Sequence, residues 1–349
     1  YKWADGTRTA KDVAWTISPM SITVTWGSTS LTYTGSAQAP TVTTPVNGAN
    51  GEKLNLTVSG AKTAVGTGYT ATASISSVTN GQKKTSNYIL ANPSTTFAIT
   101  YKFIAKPKAS TTTFTYNGAS QTYTPSGFDS STMNITNNTR IDAGSQTVTV
   151  SLKDKTNYRW SDSTTTDITF TFTINQKSIS VTWENTSFIY NGAAQTPIAS
   201  SPVEVITGEK VYIEVSGSAT NVGTGYSATA NISKVTGGRA KIENYTLTNN
   251  STTFEITYKA TTKPTEDTKT YTYNGSLQTY TPSGFDSAIM NISNNTRIDA
   301  GSQTVTVSLK DKANYRWADN TTTDIAFTFK INKMSLPVTW GSTKSFVYD

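Results

Sequence analysis

The residues of this chain that could carry chemistry are few, and they recur at fixed spacing. Four Tyr-x-Gly turns stand at Tyr33-Thr34-Gly35, Tyr116-Asn117-Gly118, Tyr190-Asn191-Gly192 and Tyr273-Asn274-Gly275. Each is followed, three residues past the Gly, by Gln38, Gln121, Gln195 or Gln278. A Gln or Asn amide attacked by Lys or Thr gives an isopeptide or ester cross-link, a reaction that needs a neighbouring acid. No acid recurs beside these Gln residues. The better-placed set is Asn175 or Asn332 on a final strand, with Asp167 or Asp324 as the acid. The competing reading is structural. Asn-Gly between two alternating segments is the strongest short hairpin signal, because both turn positions take positive φ. The Gln amide would then fold back over the turn and satisfy backbone groups. We read the motif as turn chemistry, with Gly35, Gly118, Gly192 and Gly275 as its essential part and Thr34 replacing Asn in the first copy.

Other chemistries are narrowed by composition. The chain has no His and no Cys, which excludes thiol nucleophiles, disulfides, thiolate or imidazole metal sites and a Ser-His-Asp arrangement. Carboxylates do not persist between copies. Glu209 recurs as Glu52, but Glu204, Glu214, Glu243 and Glu255 become Asn47, Thr57, Ser86 and Ala98. A carboxylate pair for glycoside hydrolysis is therefore not maintained, and no enzyme, cofactor or metal residue is assigned. Asp5 and Asp154 are single acids rather than a calcium ladder. Trp160 and Trp317, in "NYRW" beside Arg159 and Arg316, could stack on a sugar, with Tyr123 and Tyr280 expected to be partly exposed nearby. Large aromatics on strands more often fill a core, and that is the preferred reading. The charge of +7 over 349 residues is mild and its lysines are scattered, which suits solvated turns rather than a nucleic-acid surface.

The elements that must position these residues form a long-range repeat. Trp26, Trp183 and Trp340 each close "VTW" at a spacing of 157 residues, and Tyr1, Tyr158 and Tyr315 repeat at the same interval. One period holds a long and a short module. The expected boundaries are 20–100 and 177–257 for the long type, and 101–176 and 258–333 for the short. Residues 1–19 read as the tail of an earlier short module and 334–349 as the start of a third long one, as in a window on a longer array. Every module carries its Tyr-x-Gly turn, a mid-module Gly (Gly66, Gly144, Gly223, Gly301) and a late Asn-Tyr pair ending at Tyr88, Tyr158, Tyr245 or Tyr315. Thr alternates with Val, Ile or Phe in "QTVTVSL" and "DITFTFTI", the period-two pattern of half-buried strands. Turn signals at short intervals on this background predict an all-β fold of small antiparallel sandwiches. Short junctions with Lys106-Pro107 and Lys263-Pro264 favour a semi-rigid rod over loose beads. At roughly 3.3 Å per strand residue, a module would be about 35–40 Å long and four would span on the order of 150 Å. No apolar run approaches the roughly 18 residues of a membrane span.

With these residues in view, "ISVTWENTSFIYNGAAQTP…NVGTGYSATA…NYTLTNNSTTFEI" resembles the MBG-type (YGX-turn) modules of large Firmicutes surface proteins. The stretch "TYNGASQTYTPSGFDS…AGSQTVTVSLKDKTNYRW" resembles a sister version from the same arrays. The resemblance covers essentially the whole chain. It implies Ig-like modules in an extracellular, cell-surface adhesin stalk and supplies no catalytic residues. The expected function is a spacer projecting a binding domain. The alternatives are a self-assembling filament or surface layer and a multivalent glycan-binding array. The expected partners are neighbouring modules, with other copies of the chain or a host or cell-surface glycan under the alternatives.

Overall fold

The computed structural model describes residues 1–341; of the stretch 334–349, expected to start a third long module, the part from Ser342 on lies outside the described residues. The chain is all-β. Among the described residues its helical pieces are three 3-10 turns, Ala49–Gly51, Thr85–Asn87 and Ile242–Asn244. Thr, Val, Ile and aromatic residues at period two favour pleated, one-face-buried strands over helices, and the burial follows the pattern. Val148, Val150 and Leu152 are buried while the residues between them are not.

Two compact units result. The first comprises Tyr1–Phe114, Ser120–Arg140 and Ser145–Ile174; the second comprises Thr115–Ala119, Ile141–Gly144 and the chain from Asn175 on. In the first unit the long repeat builds a five-stranded sheet, ordered Ser30–Thr32, Ser94–Thr100, Gly66–Thr79, Lys53–Ser59 and Val46–Asn47. A small sheet of Met20–Ile22 and Tyr88–Leu90 covers it. Ile22 and Val24 share one core with Leu54, Leu56, Ala73 and Val78. The short repeat pairs Met133–Thr136 with Gly144–Leu152 antiparallel, over a core of Met133, Val150, Leu152 and Trp160.

The second unit repeats the design. Its five-stranded sheet runs Ser187–Ile189, Ser251–Thr257, Gly223–Thr236, Glu209–Ser216 and Val203–Ile206. A four-stranded sheet runs Tyr271–Thr272, Ile325–Asn332, Gly301–Leu309 and Met290–Ser293. The long repeat adds Val203–Ile206 as an antiparallel edge strand beside Glu209–Ser216, where the sheet of the short repeat ends at Met290–Ser293.

Two expectations are corrected. The sheets are mixed rather than antiparallel: Ser30–Thr32 lies parallel to Ser94–Thr100, Ser187–Ile189 to Ser251–Thr257 and Tyr271–Thr272 to Ile325–Asn332. A chain that enters a module at one end and leaves at the other must run its early and last strands the same way, so they meet in parallel. The Tyr-x-Gly turns are likewise not hairpins, since the strand entering each turn pairs with the module's last strand. Only the glycine takes positive φ, +89° at Gly35, +79° at Gly118, +81° at Gly192 and +75° at Gly275. The Asn serves through its side chain. Its Oδ1 accepts the amide two residues on, from Ala119 at 3.0 Å, Ala193 at 2.8 Å and Ser276 at 3.0 Å. The Thr34 Oγ1 does the same more weakly with Ser36 at 3.4 Å, which explains how Thr substitutes there. The Gln does fold back, with Nε2 donating to the carbonyls of Thr32, Ile189 and Thr272 at 3.0, 3.2 and 2.9 Å. The Lys-Pro junctions, expected to be short and stiff, are tied into the sheets. Lys102–Ile104 pairs with Tyr158–Trp160 and Lys108 bridges Ser126, with the same pairings at Lys259–Thr261 and Thr265.

Candidate functional site

The shared skeleton of the repeats converges on one arrangement, formed at three places. In the first unit the ring of Tyr33 packs edge-on against Tyr158, centroids 5.5 Å apart, and the Val65 amide donates to Asn157 Oδ1 at 2.8 Å. In the second unit Tyr190 meets Tyr315 at 5.5 Å while the Val222 amide donates to Asn314 Oδ1 at 2.7 Å. Within that same unit Tyr116 meets Tyr245 at 5.5 Å and the Ala143 amide donates to Asn244 Oδ1 at 2.8 Å. Val65, Ala143 and Val222 each directly precede the mid-module Gly. One side of this joint is therefore the turn Tyr with the residue before that Gly. The other side is the late Asn-Tyr pair of the following repeat.

Local structure sets each acceptor Asn. Asp154 Oδ1 accepts the Thr156 and Asn157 amides at 2.9 and 3.1 Å, and its Oδ2 takes Asn157 Nδ2 at 2.7 Å. This fixes the amide so that Oδ1 faces Val65. Asp311 holds Asn314 in the same way, at 2.7 Å. The isolated acid of "KDK" is thus a positioning residue. Changing Asn314 to Ala strands the Val222 amide and is expected to cost about 1–3 kcal/mol. The check is a lowered denaturation midpoint together with faster exchange of that amide.

The joint around Tyr116 is the most elaborate. Glu209, 2% exposed, accepts the Tyr116 hydroxyl at 2.8 Å and the Arg239 amide at 2.9 Å on Oε1, and the Tyr245 hydroxyl on Oε2. Gly238, at φ +42°, lets the backbone pass where a Cβ would run into that carboxylate. Beside it Asp142 takes Arg239 bidentately at 3.0 and 2.8 Å, Lys241 at 2.6 Å and Asn244 Nδ2 at 3.2 Å. Two carboxylates thus meet two cations and two hydroxyls, a fully hydrogen-bonded set of the kind that fixes geometry.

Burial pushes the Glu209 carboxyl up, and hydrogen bonds from Tyr245, the Arg239 amide and Tyr116 outweigh it, so the group titrates below its ordinary 4.5. The Arg239 bond, opposed by burial and helped by Lys241, holds Asp142 well below its ordinary 3.8. Burial and then Glu209 raise the hydroxyls of Tyr116 and Tyr245 above their ordinary 10.0. Both carboxyls have depressed values in the fold, so their contribution is complete above the ordinary carboxylate range and is lost as pH falls through the folded values. Acid titration is expected to release the Tyr116 contact before the cores melt, seen as tyrosine fluorescence changing ahead of far-ultraviolet dichroism.

The four candidate glycan contacts lie elsewhere. Trp160 and Trp317 are 0% exposed, and their Nε1 atoms donate to the Thr166 and Thr323 carbonyls, each at 2.8 Å. Tyr123 and Tyr280 are also buried, which corrects the expectation of partial exposure. Their hydroxyls accept the Ser110 and Asp267 amides at 3.0 and 3.1 Å, so burial leaves no polar atom stranded. Arg159 and Arg316 stack over Tyr101 and Tyr258, 4.0 and 3.7 Å from the ring centres. No ring of this set offers a free face. The acids considered for a Lys–Asn cross-link, Asp167 and Asp324, form surface pairs with Lys155 and Lys312 at 2.7 Å. Among the described residues no helix is long and apolar enough to cross a membrane.

Asn157, Asn244, Asn314 and Asp142 are functional residues that the sequence reading missed, although the recurrence of the Asn-Tyr pair and of Glu209 as Glu52 was visible. Compared with known proteins, the chain matches no family model and no curated protein.

Proposed function

We propose that this chain is a spacer, a stalk segment of a bacterial cell-surface or secreted repeat protein of the MBG type, built from tandem Ig-like sandwiches. The observation that supports this reading most is the recurring joint. The residues common to all repeats serve to seat one repeat on the next rather than to line a cleft. A spacer needs stiffness per residue of chain, and a hydrogen-bonded, aromatic-packed joint supplies it where a Gly/Ser coil would not. The Thr-rich exterior and cysteine-free composition suit an extracellular setting. Small-angle X-ray scattering extrapolated to infinite dilution tests the reading. A maximum dimension near the ~150 Å expected of four collinear modules supports a spacer, and a compact globular profile would overturn it.

A further inference from the structure

Each repeat binds the segment by which the chain enters to the segment by which it leaves, and the pairing is parallel. In the first long repeat Met20–Ile22 lies parallel to Tyr88–Leu90, and Ser30–Thr32 to Ser94–Thr100. In the second, Lys177–Ser180 lies parallel to Tyr245–Thr248, and Ser187–Ile189 to Ser251–Thr257. The second short repeat pairs Lys259–Thr261 with Tyr315–Trp317 and Tyr271–Thr272 with Ile325–Asn332 in the same sense. Bonds beyond the strands lock these pairs. The turn Tyr amide donates to the last carbonyl of the final strand in all four repeats. Tyr33 reaches Thr100 at 3.0 Å, and Tyr116, Tyr190 and Tyr273 reach Asn175, Thr257 and Asn332 at 2.9 Å. The Thr100 and Thr257 hydroxyls donate to the Leu31 and Phe188 carbonyls at 3.1 and 2.9 Å. Successive pairs follow without slack. A single residue, Tyr101, Gln176 or Tyr258, separates the final strand of one repeat from the next paired strand.

We propose that these parallel pairs are shear clamps and that the chain is a force-bearing element, resisting tension drawn along its backbone. Tension pulls the entering strand toward its own N-terminus and the leaving strand toward its C-terminus. In a parallel pair those pulls are opposed and lie along the strands, so the evenly spaced ladder bonds are strained together and fail together. An antiparallel pair pulled apart at its open end loses its bonds one at a time. The leaving strand is also interior to its sheet. Ser251–Thr257 lies between Ser187–Ile189 and Gly223–Thr236, so it cannot slide out without breaking two ladders. A slip of one residue would turn Phe254 and Ile256, both buried, out of their core. The inference rests on the spacer reading only for the direction of the load. Strength under tension and length in solution are separate quantities, and either can fail alone.

The test is single-molecule pulling of the full chain, which has no Cys, so that paired cysteines place handles at chosen residues. Gln176→Cys with Lys259→Cys, both exposed, loads the second long repeat along its entering and leaving strands. Lys210→Cys with Thr236→Cys grips opposite residues at the open end of the antiparallel pair Glu209–Ser216 and Gly223–Thr236, and unzips it. Held at one force, the first geometry is expected to survive at least about tenfold longer than the second, since forced unfolding follows the unfolding rate. A smaller ratio, equal lifetimes included, overturns the proposal. Pro19→Cys with Lys102→Cys, set against Lys53→Cys with Thr79→Cys, repeats the comparison in the first long repeat. Only variants whose melting curves match wild type are pulled. A chain compact in solution that still shows the tenfold ratio would overturn the spacer reading alone, and an extended chain without that ratio would overturn the clamp alone.

Discussion

Trp317→Ala is expected to cost about 3–5 kcal/mol and to melt the second short repeat ahead of the rest of the chain. The ring is 0% exposed and packs with Tyr280, Met290, Val305, Val307 and Leu309. Its removal leaves a cavity that the strands on either side cannot close, and it also strands the Thr323 carbonyl that the indole satisfies at 2.8 Å. Hydrogen exchange resolved by segment reads the effect, with the loss confined to residues of that core. The same variant separates the two readings of this tryptophan. A sugar platform would leave stability intact and remove glycan binding, whereas a core residue does the reverse. Trp160→Ala is expected to act alike on the first short repeat.

Glu209→Gln has the second large effect, about 2–3 kcal/mol, because bonds to a buried charged acceptor are worth more than neutral ones. The carboxylate takes donors on both oxygens from Tyr116, Tyr245 and the Arg239 amide. An amide offers one acceptor and turns two N–H donors toward hydroxyl or backbone donors. A double-mutant cycle with Tyr116→Phe isolates the contact to the turn, and a coupling of about 1–3 kcal/mol is expected. Additive single effects would show that Tyr116 and Glu209 stabilise the fold separately and that the joint is not held by their bond.

Much of the fold was legible in the sequence because its signals are local. Alternation placed Val148, Val150 and Leu152 inside, and the spacing of the VTW motifs exposed the repeat. What was not legible depends on distant partners. Asn-Gly announced a hairpin, but the strand before each turn finds its neighbour at the far end of the module, and Asn acts through its side chain. Tyr123 and Tyr280 were expected to be partly exposed, but each buried phenol finds its polar partner in a backbone amide from the loop before the turn. The joints were hidden for the same reason. Their halves were quoted as separate motifs, but Val65 meets Asn157, and Ala143 meets Asn244, across 92 and 101 residues. No periodicity within one repeat reports a contact made with the next.

The most direct test of the central claim, that the shared motifs exist to join successive repeats, is amide exchange at three equivalent positions in dilute solution. Val65, Ala143 and Val222 each donate to an Asn carbonyl across a joint. The account predicts slow exchange at all three, with Asn157→Ala, Asn244→Ala and Asn314→Ala each releasing its own partner and leaving the other two protected. Protection that survives loss of the Asn would contradict it.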